Sequence, residues 1–315
     1  MKNVQTIIQL MLKGMAMGIA EVIPGVSGGT IAFITGIYEE LIRTIKSVLG
    51  PDWIVALRRE GFPAAWRTAN GTFLLFLLAG MAIGVVFGVL VVSHILETYP
   101  VLLWAFFFGL IIASVIYIGR QVGHWGVGQV VGLLAAAVLA YWITIASPSQ
   151  GTGALWFVFV AGMIAISALI LPGISGSFIL LLMGMYTLII PSIKEVLATQ
   201  DGQSFIILIV FGLGCLLGLA TFSRVLSWTF RRYHDTTMAV LTGFMIGSLN
   251  KIWPWRNVLS YRIDSSGVQV PFMERSVLPG EFAGDPMLGP ALGLMVVGFI
   301  LVFALDRFSN PKIEA

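Results

Sequence analysis

Charge is what this chain has least of. Asp, Glu, Lys and Arg make up 10% of its 315 residues, against about 25% in an ordinary soluble domain, and 58% of the residues are hydrophobic. A water-soluble globule is excluded. Cysteine occurs once, as Cys215 inside an apolar stretch, which excludes an internal disulfide and the metal sites built on paired cysteines; the side chain reads as an inert structural thiol. His94 and His124 lie at the ends of apolar segments and His234 in a polar loop, so no His, Cys or Asp cluster sits in an apolar segment to serve a hydrolase. No catalytic residue, metal or cofactor is expected. Nor does a basic cluster interleaved with aromatics point to nucleic acid.

Apolar runs of near-spanning length fill the chain instead, at 4–23, 26–42, 73–93, 101–119, 127–146, 155–171, 174–193, 204–223, 236–250 and 288–305, against the ~20 residues a helix needs to cross a bilayer. They are continuous rather than alternating, which selects helices over a barrel. The expected class is an all-α polytopic membrane protein. The first twenty residues, MKNVQTIIQLMLKGMAMGIA, have the outline of a signal peptide, but Lys13 interrupts the run and the repeat described next reuses the segment.

Shifting the chain by 148 residues lays LILPGISGSFILLLMGMYTLII, residues 169–190, on EVIPGVSGGTIAFITGIYEELI, residues 21–42. Over positions 14–49, 15 of 36 residues are identical, where composition alone gives on the order of a tenth. The match resumes at a shift of 134, pairing Gly80 with Gly214, Gly84 with Gly218, Gly109 with Gly243 and Ser114 with Ser248; the first half therefore carries a loop about 14 residues longer. Each half holds five apolar segments, and an odd count forces the second half to enter the bilayer opposite to the first, an inverted repeat. The expected domains are 1–150, with a re-entrant helical hairpin at 4–49 and spans near 73–93, 101–119 and 127–146, and 151–315, with a hairpin at 155–197 and spans near 204–228, 236–250 and 288–305.

With the amino terminus in the cytoplasm, 13 of the 18 Lys and Arg fall on or toward that side, which predicts both termini cytoplasmic. The exceptions are Lys194 and a group in the long segment 251–287, namely Lys251, Arg256, Arg262 and Arg275. Trp253 and Trp255 of that segment read as membrane-interface anchors.

The run from Val26 to Tyr38 is only 13 residues, about 20 Å of helix against a ~30 Å hydrocarbon core. A re-entrant hairpin turning at Pro24–Gly29 fits it better than a full span. Backbone exposed by such a turn costs several kcal/mol facing lipid, so the turn must be buried in protein or line a wet cavity. Gly25, Gly28 and Gly29 permit close approach, Ser27 and Thr30 supply hydroxyls where the next half-helix begins, and free N–H groups at such a terminus suit an anion. The alternative is that the small residues only allow tight packing; the matched Pro24 and Pro172 are not explained by packing alone. Gly80, Gly84, Gly214 and Gly218 are assigned to packing.

Ionisable residues within apolar runs are costly and functional by default. Glu21, opposite Leu169 in the second copy, is either a protonatable coupling group or a carboxylate held by Lys13 or by backbone. Arg224, opposite Leu90, either balances an anion in the cavity or snorkels to the interface.

PGVSGGT followed by TGIYEEL, with PGISGS followed by MGMY, resembles a bacterial family first described as a domain of unknown function and since linked to polyprenyl-phosphate transport. The resemblance covers nearly the whole chain. It implies a multi-pass protein of the bacterial cytoplasmic membrane that returns undecaprenyl phosphate, the carrier lipid of cell-wall synthesis, to the cytoplasmic leaflet. Separately, an inside-negative potential opposes inward movement of an anion, so proton coupling would help, with Glu21 as the candidate group. Carried onto this sequence, the lipid-phosphate site comprises Gly25, Ser27, Gly28, Gly29, Thr30, Gly173, Ser175, Gly176 and Ser177, to which the reading of the charges adds Arg224. The second copy departs in having Ser177 for Gly29 and Phe178 for Thr30. A transporter or channel for a small anion, using the same helix termini, is the competing reading. Oligomeric state is not legible.

Overall fold

The computed structural model describes residues 4–23, 26–149, 151–199, 201–263 and 269–309. In chain order the helices are α1 (Val4–Val22), α2 (Gly28–Ile34), α3 (Tyr38–Val48), α4 (Asp52–Glu60), α5 (Phe62–Thr68), α6 (Gly71–Phe87), a π-helical stretch at Gly88–Val92, α7 (Ser93–Thr98), α8 (Pro100–Gly119), α9 (Val127–Ile145), α10 (Leu155–Ile170), α11 (Gly176–Leu182), α12 (Tyr186–Thr199), α13 (Gly202–Arg232) and α14 (His234–Ser248). Strands β1 (Arg256–Ile263) and β2 (Gln269–Ser276) then form an antiparallel hairpin, a 3₁₀ turn covers Pro279–Glu281, and α15 (Leu288–Ser309) ends the described chain. Gly71–Thr98, Pro100–Gly119, Val127–Ile145 and Gly202–Arg232 are each long and apolar enough to cross a bilayer. The chain is a multi-pass membrane protein, mostly helical.

The structure refines the expected plan at three places. The runs 26–42 and 174–193 are not single arms: each breaks a second time, at Gly36 and Gly184. Both glycines have positive φ, 72° and 67°, and both helices end in the same motif. Ile37 N–H bonds Ala32 O across one break and Met185 N–H bonds Leu180 O across the other, the six-to-one bond of a Schellman cap, for which glycine is the unstrained residue. The axis turns by 112° between α11 and α12. The extra loop of the first half folds as α4 and α5. And the segment 251–287 adds a β-hairpin to the otherwise helical chain. There Trp255 is 3% exposed, packed with Val101, Ala105 and Ala291, and Trp253 and Trp255 donate to Val277 O and Pro286 O. These indoles fasten the hairpin to α8 and α15 rather than the chain to the membrane interface.

α1 lies along α6, and α10 along α13. A Cβ on Gly80 or Gly84 would run into the carbonyls of Met11 and Met15, and one on Gly214 or Gly218 into those of Phe159 and Met163; only glycine lets these backbones touch. The remaining long helices pair as α8 with α15 and α9 with α14. One large core, with buried residues from α1, α2, α3, α6, α8, α13 and α14, surrounds the first break, and a smaller one with Val158, Ala161, Met185, Ile189 and Ile207 adjoins the second.

Candidate functional site at the motif junction and the adjoining basic cleft

Pro24 and Gly25 lie outside the described residues. The rest of the first motif is in direct contact with the second. Ser27 is the N-cap of α2: its Oγ accepts from Gly29 N–H at 3.1 Å and donates to Leu169 O at 3.0 Å. Tyr38 O–H donates to Ile170 O at 3.1 Å. Leu169 and Ile170 close α10, whose last carbonyls have no partner within their own helix and are followed by Pro172, which has no N–H to offer. Two hydroxyls from the other half take them. In return, Gly173 N–H donates to Thr30 Oγ1 at 2.8 Å, with Gly173 at φ 87°. A Cβ on Gly29 would press on Ile170 O and Leu169 O, so glycine is required there by close approach.

Charges bracket α2 from one neighbour. Glu21 of α1 accepts from Gly28 N–H at 2.7 Å, and Lys13, eight residues earlier, donates from Nζ to Thr35 O at 2.7 Å. Carboxylate at the N-terminus and ammonium at the C-terminus match the helix dipole. Glu21 is thus held by backbone, not by Lys13. The corresponding positions in the second half are Leu169 and Ala161, and α11 has no such bracket. Ser175, its N-cap, makes no cap bond, and its Oγ lies 2.8 Å from Ser177 Oγ; Gly176 packs on Ala165 O. Ser175 is buried and Ser177 exposed.

Arg224 is placed apart from the motifs. Its guanidinium donates to Ala220 O at 3.0 Å and to Leu49 O at 3.2 Å, and Leu49 caps the C-terminus of α3. Glu39 contacts His234 at 3.2 Å, tying α3 to α14.

A cluster that the sequence reading left among the loop charges is built beside the second motif. Lys251, Arg256, Glu274 and Arg275 line a cleft of about 350 Å³ together with Phe178 of α11 and Tyr141 of α9. Arg256 opens β1 opposite Ser276, and Val258 faces Glu274, so Arg256 and Glu274 are diagonal neighbours on the hairpin. They bond at 2.8 Å, and Lys251 Nζ sits 3.7 Å from the same carboxylate. The ammonium lies 4.6 Å from the Phe178 ring centre and the Arg256 guanidinium 4.7 Å from that of Trp104, both cation–π distances. Burial pushes the Lys251 ammonium below its ordinary value and the Arg256 guanidinium beside it pushes the same way, while Glu274 opposes both. The available signal is the exception itself: four of the five cations that depart from the charge count lie in one segment, with Lys251 and Arg256 flanking two tryptophans. Among the described residues, no group of His, Cys, Asp and Glu could hold a metal ion.

Residues 17–270 match the model of a family described as undecaprenyl phosphate translocase-like. The chain is 43% identical over 303 residues to a polyprenyl-phosphate transporter of Vibrio cholerae, covering 95% of this chain and 96% of that one. It is 31% identical over 256 residues to a polyprenyl-phosphate transporter of Staphylococcus aureus, covering 77% and 85%. No solved structure matches it. With the family model spanning most of the chain and one relative aligned almost end to end, this protein belongs to the undecaprenyl phosphate translocase-like family.

Proposed function

We propose that the chain moves polyprenyl phosphate, undecaprenyl phosphate in particular, from the outer to the cytoplasmic leaflet of the bacterial cytoplasmic membrane, by alternating access of two inverted halves with both termini in the cytoplasm. The observation that carries this reading is the junction of the two motifs, where hydroxyls of the first half satisfy the end of α10 and Thr30 receives Gly173 N–H. Irregular backbone at membrane depth persists only where protein or a wet cavity covers it, and a joint made of a few side-chain bonds between two otherwise rigid bodies can open and reclose. The matched breaks at Gly36 and Gly184, the matched glycine contacts and the crossed helix pairs α8–α15 and α9–α14 support the inverted repeat and the re-entrant hairpins. The relatives' printed names support the substrate.

A lipid phosphate carries about one to two charges, costly to bring through hydrocarbon, while its tail stays in lipid throughout. The protein has only to shelter the head. An inside-negative potential opposes inward movement by about 2.3 kcal/mol per charge per 100 mV, so a co-transported proton assists. Glu21 fits that role by position: its carboxylate accepts from Gly28 N–H, next to Ser27, whose hydroxyl crosses the joint, and a proton on it weakens that hold on the start of α2.

The test is purified protein in liposomes with labelled polyprenyl phosphate on one leaflet. Faster equilibration than in empty liposomes is expected, increased by an inward proton gradient. Equal rates with and without protein, whatever the gradient, would remove the proposal.

A further inference from the structure

We propose that the cleft between the β-hairpin, α9 and α11 is a lipid-phosphate recognition site, in which Lys251, Arg256 and Arg275 hold the phosphate monoester while the lipid tail leaves along α9. The inference rests on the transport reading above and places the first binding step outside the motif junction.

Among the described residues, three cations line the cleft against one carboxylate, Glu274, which Arg256 and Lys251 already share. Arg256 is 8% exposed, and its buried Nε has no hydrogen-bond partner among the described residues. A buried guanidinium N–H without an acceptor is costly, so Glu274 alone does not satisfy Arg256. A phosphate monoester brings about −1.5 to −2 charges and three acceptor oxygens, matching the surplus in sign and in number of donors, and arginine is the residue whose planar fork fits phosphate. Tyr141, Thr144 and Asn250 edge the same cleft, but Thr144 and Asn250 bond each other at 2.8 Å, leaving the cations to face an incoming anion.

The walls fit a lipid rather than a free ion. Leu181, Leu182, Leu259 and Met273 line the cleft beside the charges. Ile145 and Leu259 are more than half exposed, and α9, which contributes Tyr141 and Ile145, is a span that buries only 11% of its apolar window. One flank of the cleft therefore opens toward the bilayer. In the orientation proposed above, the C-terminal ends of α9 and α14 and the hairpin lie on the outer side, where a lipid destined for the cytoplasmic leaflet is collected. Phe178 joins the two sites: it floors the Lys251 ammonium and stands one residue after Ser177 of the second motif.

The experiment is equilibrium binding of radiolabelled farnesyl phosphate to the purified full-length protein in detergent, with farnesol and inorganic phosphate as competitors. Lys251→Gln is expected to weaken binding about tenfold or more, the ordinary worth of a hydrogen bond to a charged group. Glu274→Gln, which removes the competing carboxylate, is expected to tighten binding several-fold, a gain that misfolding cannot imitate. Farnesol should not compete, and inorganic phosphate should compete far more weakly than the lipid. Wild-type affinity in both variants would overturn the proposal, as would inorganic phosphate competing as well as farnesyl phosphate. If the variants bind normally while wild-type protein still moves lipid phosphate in liposomes, the cleft is wrong and the transport reading stands; if wild-type protein neither binds nor moves it, both fall.

Discussion

The two motif copies share a backbone and differ in where their charge lies. In the first, α2 is bracketed by Glu21 and Lys13 from α1, and both are bonded to its backbone ends. In the second, α11 has Leu169 and Ala161 at those places, and the nearest charges come from the appended hairpin, with Lys251 resting on Phe178. The two copies meet in one joint, one of them self-contained in charge and the other beside a basic cleft; on the proposals above, the first holds and releases the joint and the second meets the anion.

The harshest way to break the comparison is at the contact itself. Gly29→Leu drives a side chain into the Leu169 and Ile170 carbonyls, and overpacking against backbone costs ~3 kcal/mol or more. It should abolish transport and lower the thermal unfolding midpoint in detergent. The matched Ser177→Leu lies at an exposed position and should leave the midpoint near wild type. Equal midpoints in the two variants would show that the copies are not differently packed.

Exchanging charge is the next test. Glu21→Gln keeps an acceptor for Gly28 N–H but cannot gain or lose a proton, so transport should persist with a flattened pH dependence; a wild-type pH profile would make Glu21 structural. Tyr38→Phe follows, leaving the buried Ile170 carbonyl without the hydroxyl it accepts from, a loss of about 1–3 kcal/mol, measurable as a lower unfolding midpoint with the pH profile unchanged.

The smallest effect lies where α6 and α13 begin. Asp201 caps α13 by accepting from Ser204 N–H at 2.7 Å, whereas Asn70, at φ 51°, makes no side-chain cap for α6 and donates to Glu40 and Thr44 instead. The bonds from Ser204 hold the Asp201 carboxyl below the usual carboxylate range. Its stabilisation is therefore complete above the unfolded value and lost as pH falls through the lower folded one. Asp201→Ala should lower the midpoint slightly at neutral pH, and the difference from wild type should vanish in strong acid. A difference that persists there would assign the effect to something other than the ionised cap.

The repeat, the membrane class and the sites where the backbone departs from spanning helix were legible in residue order. Apolar length, Pro172 and the paired glycines act through local chemistry that any segment carries with it. The second break in each copy is not legible although Gly36 and Gly184 align at the shift of 148, because hydrophobicity runs on unbroken across both and a helix period does not register a left-handed cap. The partners of the motif hydroxyls could not be read: Ser27 and Leu169 are 142 residues apart, and which carbonyl a hydroxyl meets is set by how whole helices pack.

By itself, then, the sequence determined that this is a multi-pass membrane protein with an internal sequence repeat and two proline- and glycine-marked breaks, since solvation by lipid and backbone sterics are enforced residue by residue. Only the tertiary structure decided that the breaks satisfy one another, that Arg224 serves the end of α3, and that four charges scattered along a loop become one cleft. A hairpin register and the burial of two tryptophans bring Lys251, Arg256, Glu274 and Arg275 together, and charge gains its force from that desolvated proximity, which the order of residues does not contain.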